Sequence, residues 1–328
     1  MKLVFVHLGN SNPKHLWANL ERHTEVFPGI PATLVVSENF TRQRHVPRSV
    51  EVVRYKRPEE TNTLLKNLDL PESFRGGFWH FTFERLLALE LVHSFDPETP
   101  ILHIESDVLL LPNFPWLDLA QRKMLMWGQI DAKEDIAALV FSPNLKLTRR
   151  LTSELRQVLG RDPNTSDMRA LREVAKVMGS TEFEYLPFDI GKTSIAGGIF
   201  DVGPIGMYLA GLDPRNSWGK RLYQVSLDHH IVKPQHMNFR MEGGNLKASN
   251  EGTELFVFSL HIHSKDQRVL GSKSSGALRN LIELQKSSPG RTDFVLFAFL
   301  AGFAQVIHEI LSKRGLTAIY KKLLKLFR

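Results

Sequence analysis

Short apolar runs alternating with helical-period segments fill the first hundred residues, and that alternation leaves few folds open. Leu3–Leu8, Ala32–Ser37 and Val50–Tyr55 read as strands, and a helix around His15–Arg22 follows Ser11-Asn12-Pro13. Strands interleaved with helices imply a mostly parallel sheet covered on its faces. A polar, turn-rich stretch through Arg75-Gly76-Gly77 precedes a predicted helix from about Trp79 to Ser94. Its Phe83, Leu86, Leu87 and Leu91 recur at helical spacing. The helix leads directly into a strand over Ile101–Val108.

At 328 residues, 42% hydrophobic and 23% charged, the chain is long enough for one large α/β domain or two smaller ones. With no cysteine, disulfides and thiolate ligands are excluded, whatever the compartment. The N-terminal apolar run is too short for a signal-peptide core and reads as the first buried strand. No Gly-x-Gly-x-x-Gly or Walker-type loop occurs, which argues against a dinucleotide enzyme or a P-loop ATPase.

Net charge is +7 and uneven: residues 291–328 carry seven basic and two acidic groups, leaving the body near neutral. Without a basic stripe on the body, nucleic acid is not an expected partner. The apolar segment Phe294–Ile307 is shorter than the roughly 20 residues that span a bilayer as a helix. Beyond Gly315, Leu316, Ile319, Leu323 and Leu326 recur at helical spacing among lysines. Such a basic amphipathic helix suits an anionic membrane surface, and also suits packing on the protein's own core or a dimer contact.

Two runs place acids and imidazoles at every second residue. In Ile101–Val108 the alternation puts His103, Glu105 and Asp107 on one side; in Leu255–His263 it puts Ser259, His261 and His263 opposite Phe256, Phe258, Leu260 and Ile262. Carboxylate oxygens with an imidazole suit one Mg²⁺ or Mn²⁺ that also holds a phosphate. Glu-Ser-Asp also fits an ordinary strand-to-loop exit. Burying such groups unpaired costs several kcal/mol, however, so a shared polar site is favoured over accident.

The second half adds Ser194–Pro204, where Gly197-Gly198 lets a ligand or another backbone approach closely, or makes a tight turn or bulge. Ser226–Val232 reads as a helical segment presenting Asp228, a candidate general base or a solvated carboxylate.

Taken in order, these features resemble nucleotide-sugar-dependent glycosyltransferases of the A-type fold. The resemblance covers roughly residues 1–268 and rests on four pieces: the Leu3-Val4-Phe5-Val6 strand; the Arg-containing helix Phe83-Glu84-Arg85-Leu86 leading to Glu105-Ser106-Asp107 at the Asp-x-Asp position; the Ala-Gly-Gly-Ile-Phe segment at 196–200; and the late run His261–His263. It implies a single Rossmann-like α/β/α domain over 1–268; from their own residues, 269–290 read as a flexible lid or linker and 291–328 as a helical tail. It also implies a hexosyltransferase-like enzyme using Mn²⁺ or Mg²⁺ and a nucleotide sugar, UDP-sugars favoured.

Carried over residue by residue, the resemblance makes Asp107 a direct metal ligand and Glu105 a ligand or ribose contact. One of His261 and His263 is the third protein ligand. Glu at the first motif position departs from the usual Asp. Ser106 and Arg85 fall in the donor site, Gly197 and Gly198 border the donor sugar, and His7 and Glu38 lie near the base or ribose. Lys265 and Arg268 can clamp the diphosphate, with Gly271–Gly276 closing over it. Asp228 is the first candidate base for an acceptor hydroxyl, Asp201 and Glu242 weaker ones.

The expected acceptor is a glycan or lipid-linked precursor of a surface polysaccharide or glycolipid. The expected location is cytoplasmic, peripheral on the inner face of the membrane through the tail. Two other classes use the same residues: a metal-dependent hydrolase or nucleotidyltransferase, and a membrane-docked scaffold without catalysis.

Overall fold

The strand–helix alternation closes into a seven-stranded sheet. In the computed structural model, residues 1–9, 11, 13–41, 46–70, 77–190, 194–211, 230–273 and 276–286 are described. The order of elements is β1 (Lys2–His7), α1 (Lys14–Val26), β2 (Ala32–Ser37), β3 (Val50–Tyr55), α2 (Glu59–Lys66), α3 (Phe78–Leu87), α4 (Leu89–Phe95) and β4 (Ile101–Ile104). Then come β5 (Val108–Leu110), α5 (Trp116–Ala120), β6 (Leu125–Gln129), β7 (Asp135–Ser142), α6 (Leu145–Arg161), α7 (Asp167–Glu182) and β8 (Phe183–Tyr185). The sheet order is β3-β2-β1-β4-β7-β6-β8. Four pairings are parallel, and only those of β7 with its neighbours β4 and β6 are antiparallel. The mostly parallel α/β sheet implied by the alternation is therefore present.

The remaining elements build a second sheet. β9 (Gly198–Phe200), α8 (Pro204–Ala210), β10 (Asn238–Glu242), β11 (Asn245–Asn250) and β12 (Thr253–His261) are followed by short helices at Gln267–Leu270 and Gly276–Lys286. Strands β10-β11-β12-β5 pair antiparallel, and β9 adds to β12 in parallel.

Alternation sorts side chains onto the two faces of the large sheet. Leu3, Phe5, Leu34, Val36, Leu102 and Ile104 join Leu16 and Leu20 of α1 and the second sheet in one core cluster. Val4, Val35 and Ile101 join Phe83, Leu86, Leu151, Leu155 and Val174 of α3, α6 and α7 in the other. Each fully buried side chain of this size contributes about 1.5–3 kcal/mol relative to exposure.

Three local expectations change. The helix over Trp79–Ser94 is two helices, α3 and α4, interrupted at Ala88. The strand over Ile101–Val108 is also two: β4 belongs to the large sheet and β5 to the small one. Between them Glu105–Asp107 makes the crossing, held where Glu105 N–H donates to the Ala138 carbonyl and Val108 N–H to the Glu105 carbonyl. Finally, the segment expected as a lid or linker contains the Gly276–Lys286 helix, whose Leu278 and Ile282 are buried in the first core cluster. Asp228 and the tail beyond Lys286 lie outside the described residues. Among the described residues no helix is long and apolar enough to cross a membrane.

Candidate functional site

The site forms where the two sheets meet. Parallel strands β1 and β4 end side by side, with Phe5 level with Ile104, and the chain then leaves the large sheet through Glu105-Ser106-Asp107. β5 next pairs with the end of β12, Val108 opposite His261, which carries the late imidazole back to the motif. Glu105, Asp107 and His261 thus each offer a ligand atom, all within 4.8 Å of one another. His261 Nε2 lies 3.1 Å from Glu105 and 3.4 Å from Asp107.

These acids are surrounded by cations. Arg85 on α3 pairs with Glu105 through one guanidinium nitrogen and with Asp167, at the start of α7, through the other at 3.2 Å. Lys265 pairs with Asp107. Burial alone would raise both motif carboxyls, but Arg85 and His261 hold Glu105 below its ordinary range, and Lys265 and His261 hold Asp107 well below it. Asp167 goes the other way: burial outweighs its attraction to Arg85 and pushes its carboxyl up.

The two imidazoles stack with centroids 3.9 Å apart, but they are not equivalent. For His261 the Asp107 and Glu105 carboxylates overcome the burial penalty and raise its pKa to about 10. For His263 burial, reinforced by the charge on His261, lowers it to about 3. His263 is not part of the three-residue ligand cluster, since the chain turns after His261 and its Nε2 faces Gly203 instead. Of the two candidates for the third ligand, the structure brings His261 to the acids.

His103 corrects the expectation of a one-faced His103-Glu105-Asp107 row. It sits inside β4, fully buried, with Nδ1 bonded to the Val4 carbonyl at 3.1 Å, and burial lowers its pKa to about 4. The break of the strand at Glu105 is what separates it from the acids.

Asp201 likewise serves the backbone. One of its oxygens accepts from Gly203 and Ile205 N–H, the other from Gly206 and His261 N–H, at 2.7–3.0 Å. Four amides occupy the carboxylate, so the expected candidate base is a clamp that ties the N-terminus of α8 to β12 at His261. Gly206 permits the approach: a Cβ there would fall 2.1 Å from the His261 carbonyl oxygen.

The expected donor contacts spread around this centre. His7 ends β1 with Nε2 bonded to the Ser11 carbonyl and its ring edge-on to Trp17 and Phe40, and burial lowers its pKa. Glu38 follows β2 and is exposed, its carbonyl accepting from Arg54. Ser106 bonds His15 through its hydroxyl at 3.0 Å. Gly197, at φ +75°, makes a tight turn with open space around its Cα, whereas Gly198 lets Phe258 pack, a Cβ there falling 2.4 Å from the ring. Glu242 stands in an exposed charge ladder with Arg240 and Lys247, and Arg268 pairs with Asp266. A separate open concavity of about 480 Å³ is bordered by Glu59 and Glu60 of α2, Asn67 just beyond it and Arg156 of α6, and shares no residue with the acidic centre.

No family model matches the chain, and no curated protein matches it. Among solved structures, it is similar to an active-site mutant of LgtC (TM-score 0.41, 13% identity, covering 57% of this chain and 73% of that one). A complex of the galactosyltransferase LgtC with donor and acceptor sugar analogs gives a TM-score of 0.39 at 13% identity over the same shares. The PaToxG glycosyltransferase gives 0.36 at 9%, covering 55% of this chain and 70% of that one. These structural neighbours are glycosyltransferases; at such similarity they assign this chain no activity.

Three further residues of the site carry little signal in the sequence. Asp167 is a helix-start acid beside the Ser166 cap, a signal that ordinarily means capping alone. His15 and Asn19 stand one helical turn apart on α1, with Asn19 buried among the leucines of an otherwise amphipathic helix. A buried polar residue at that spacing was the available clue.

Proposed function

We propose that this chain transfers a sugar from a nucleotide-sugar donor, UDP-sugars foremost, to a glycan or lipid-linked acceptor, with Mn²⁺ or Mg²⁺ held by Glu105, Asp107 and His261. The observation that carries this reading is the convergence of two carboxylates and an imidazole, within 4.8 Å, at the carboxyl ends of parallel strands. Ligands of open α/β sheets bind outside those ends. The donor set fits the ion, since hard oxygens joined by one imidazole suit Mn²⁺ or Mg²⁺.

When bound, the divalent cation supplies neutralisation of the charge that develops on a departing diphosphate. The protein groups do the rest. Arg85, fixed by Asp167, turns Glu105 so that one oxygen faces His261 and the other stays in the ion pair. Lys265 stands beside Asp107, a position from which its ammonium can meet a donor phosphate. The Asp201 clamp keeps the His261 backbone in place. Asp228 is the proposed proton acceptor for the acceptor hydroxyl. The basic amphipathic pattern of residues 316–328 supports an anionic membrane surface as the place of work, on the cytoplasmic side.

The test is a thermal-shift screen of UDP-, GDP-, CMP- and dTDP-sugars, each with Mn²⁺ or EDTA, on the wild type and Asp107→Ala. A ligand at a hundred times its Kd stabilises by about 2.7 kcal/mol. A UDP-sugar should raise the melting temperature with Mn²⁺ only, and Asp107→Ala should lose that increment. If none of the four classes stabilises the wild type, the transferase reading fails.

A further inference from the structure

The segment that carries the two acids is gripped from both sides. On one side β12 pairs with it, Ile262 N–H donating to the Asp107 carbonyl at 2.8 Å. On the other side the carbonyls of residues 106, 108 and 110 turn outward, where a further strand would normally pair. Helix α1 replaces that strand with side chains. The Asn19 amide donates to the Ser106 carbonyl at 3.3 Å and to the Val108 carbonyl at 2.7 Å. One turn earlier His15 meets the Ser106 hydroxyl, and one turn later Arg22 donates to the Leu110 carbonyl at 2.8 Å.

The Asn19 contacts bracket Asp107: the two carbonyls joined by one amide belong to the residues immediately before and after it. Asn19 is 2% exposed, and its bond to the Val108 carbonyl is buried, while the bond to the Ser106 carbonyl is part-buried. Loss of the amide would leave a buried carbonyl unsatisfied beside Asp107, a cost that favours a shift of the backbone that aims its carboxylate.

We propose that Asn19 is a positioning residue for the metal-binding carboxylates, its amide fixing the Ser106–Val108 backbone so that Asp107 and Glu105 face His261 without rearrangement. This rests on the metal-site reading above. Loss of such a supporting contact ordinarily weakens metal affinity about 10- to 100-fold. His15 adds to the same grip through Ser106.

The experiment is calorimetric titration of Mn²⁺ alone into the full chain, comparing wild type, Asn19→Ala, His15→Ala and Leu20→Ala, with melting temperatures measured in parallel. Leu20 neighbours Asn19 but points into the core, fully buried, and bonds nothing in the acidic segment. Leu20→Ala should lower the melting temperature and leave Mn²⁺ affinity within twofold. Asn19→Ala should weaken Mn²⁺ about tenfold or more, and His15→Ala at least twofold. Should Asn19→Ala not fold, His15→Ala decides alone. Wild-type affinity in both folded variants, or equal losses in Leu20→Ala and Asn19→Ala, overturns the positioning role while the metal site stands. A wild type that binds no Mn²⁺ overturns both.

Discussion

Replacing Arg85 by Met keeps the length and bulk of the side chain and removes the charge that Glu105 and Asp167 share. Asp167 is buried, with 6% side-chain exposure, and Arg85 and Glu105 are partly buried, at 16% and 14%. Glu105 retains His261 as a partner, but no other ion pair to Asp167 is seen among the described residues. Removing one member of a buried ion pair costs about 3–5 kcal/mol, because the desolvated charge stays behind. Unfolding entropy of about 2.1 cal/mol/K per residue over 328 residues converts this into a fall of about 4–7 °C in melting temperature at pH 7.

The pH dependence gives the sharper check. Asp167 is already raised by burial, and without Arg85 it rises further above its unfolded value. The native variant then binds a proton that the unfolded chain does not, so its stability increases as pH falls. The deficit against wild type should therefore shrink between pH 7 and pH 5. Adding Asp167→Asn should recover about 1–2 kcal/mol at pH 7, the coupling expected of residues in direct contact. Thermal denaturation of wild type, Arg85→Met, Asp167→Asn and the double variant at both pH values measures all of this. A loss under 1 °C at pH 7, or a deficit that widens on acidification, would refute the view of Arg85 as the counter-ion of a desolvated acid pair.

Two further outcomes follow from other parts of the chain. His23 and His93 are held near pKa 4, chiefly by burial, against 6.5 when exposed. Their contribution is complete above pH 6.5 and is lost as pH falls through 4, about 2 kcal/mol each by pH 5. His23→Phe, placed among Phe5, Phe27 and Trp116, should reduce the loss of denaturant stability between pH 7 and pH 5 by that amount, and an unchanged loss would count against it. Deleting residues 291–328, which hold five of the seven net positive charges, should move the protein from the membrane to the soluble fraction of a cell lysate. Unaltered fractionation would remove the tail from the account.

The frame of the protein was legible in its sequence because strand and helix periodicity is local. Ala32–Ser37 and Val50–Tyr55 were read to the residue, and the parallel sheet followed from the order of elements. The acids and imidazoles were visible as alternating polar residues in apolar runs, for the same reason. What periodicity could not show was where a run stops belonging to one sheet. The break at Glu105 removed His103 from the site and sent Val108–Leu110 to pair with β12, and the turn after His261 separated His263 from the acids.

Tertiary approach decided the remaining roles. Asp201 looked like a free carboxylate until the Gly206 helix turn and the His261 backbone closed on it. Asn19 gains its role only because a segment 87 positions away lays its carbonyls against α1. Hydrogen bonds and ion pairs reach only a few ångströms, so their partners are set by how distant elements pack, whereas hydrophobic periodicity is written along the chain itself.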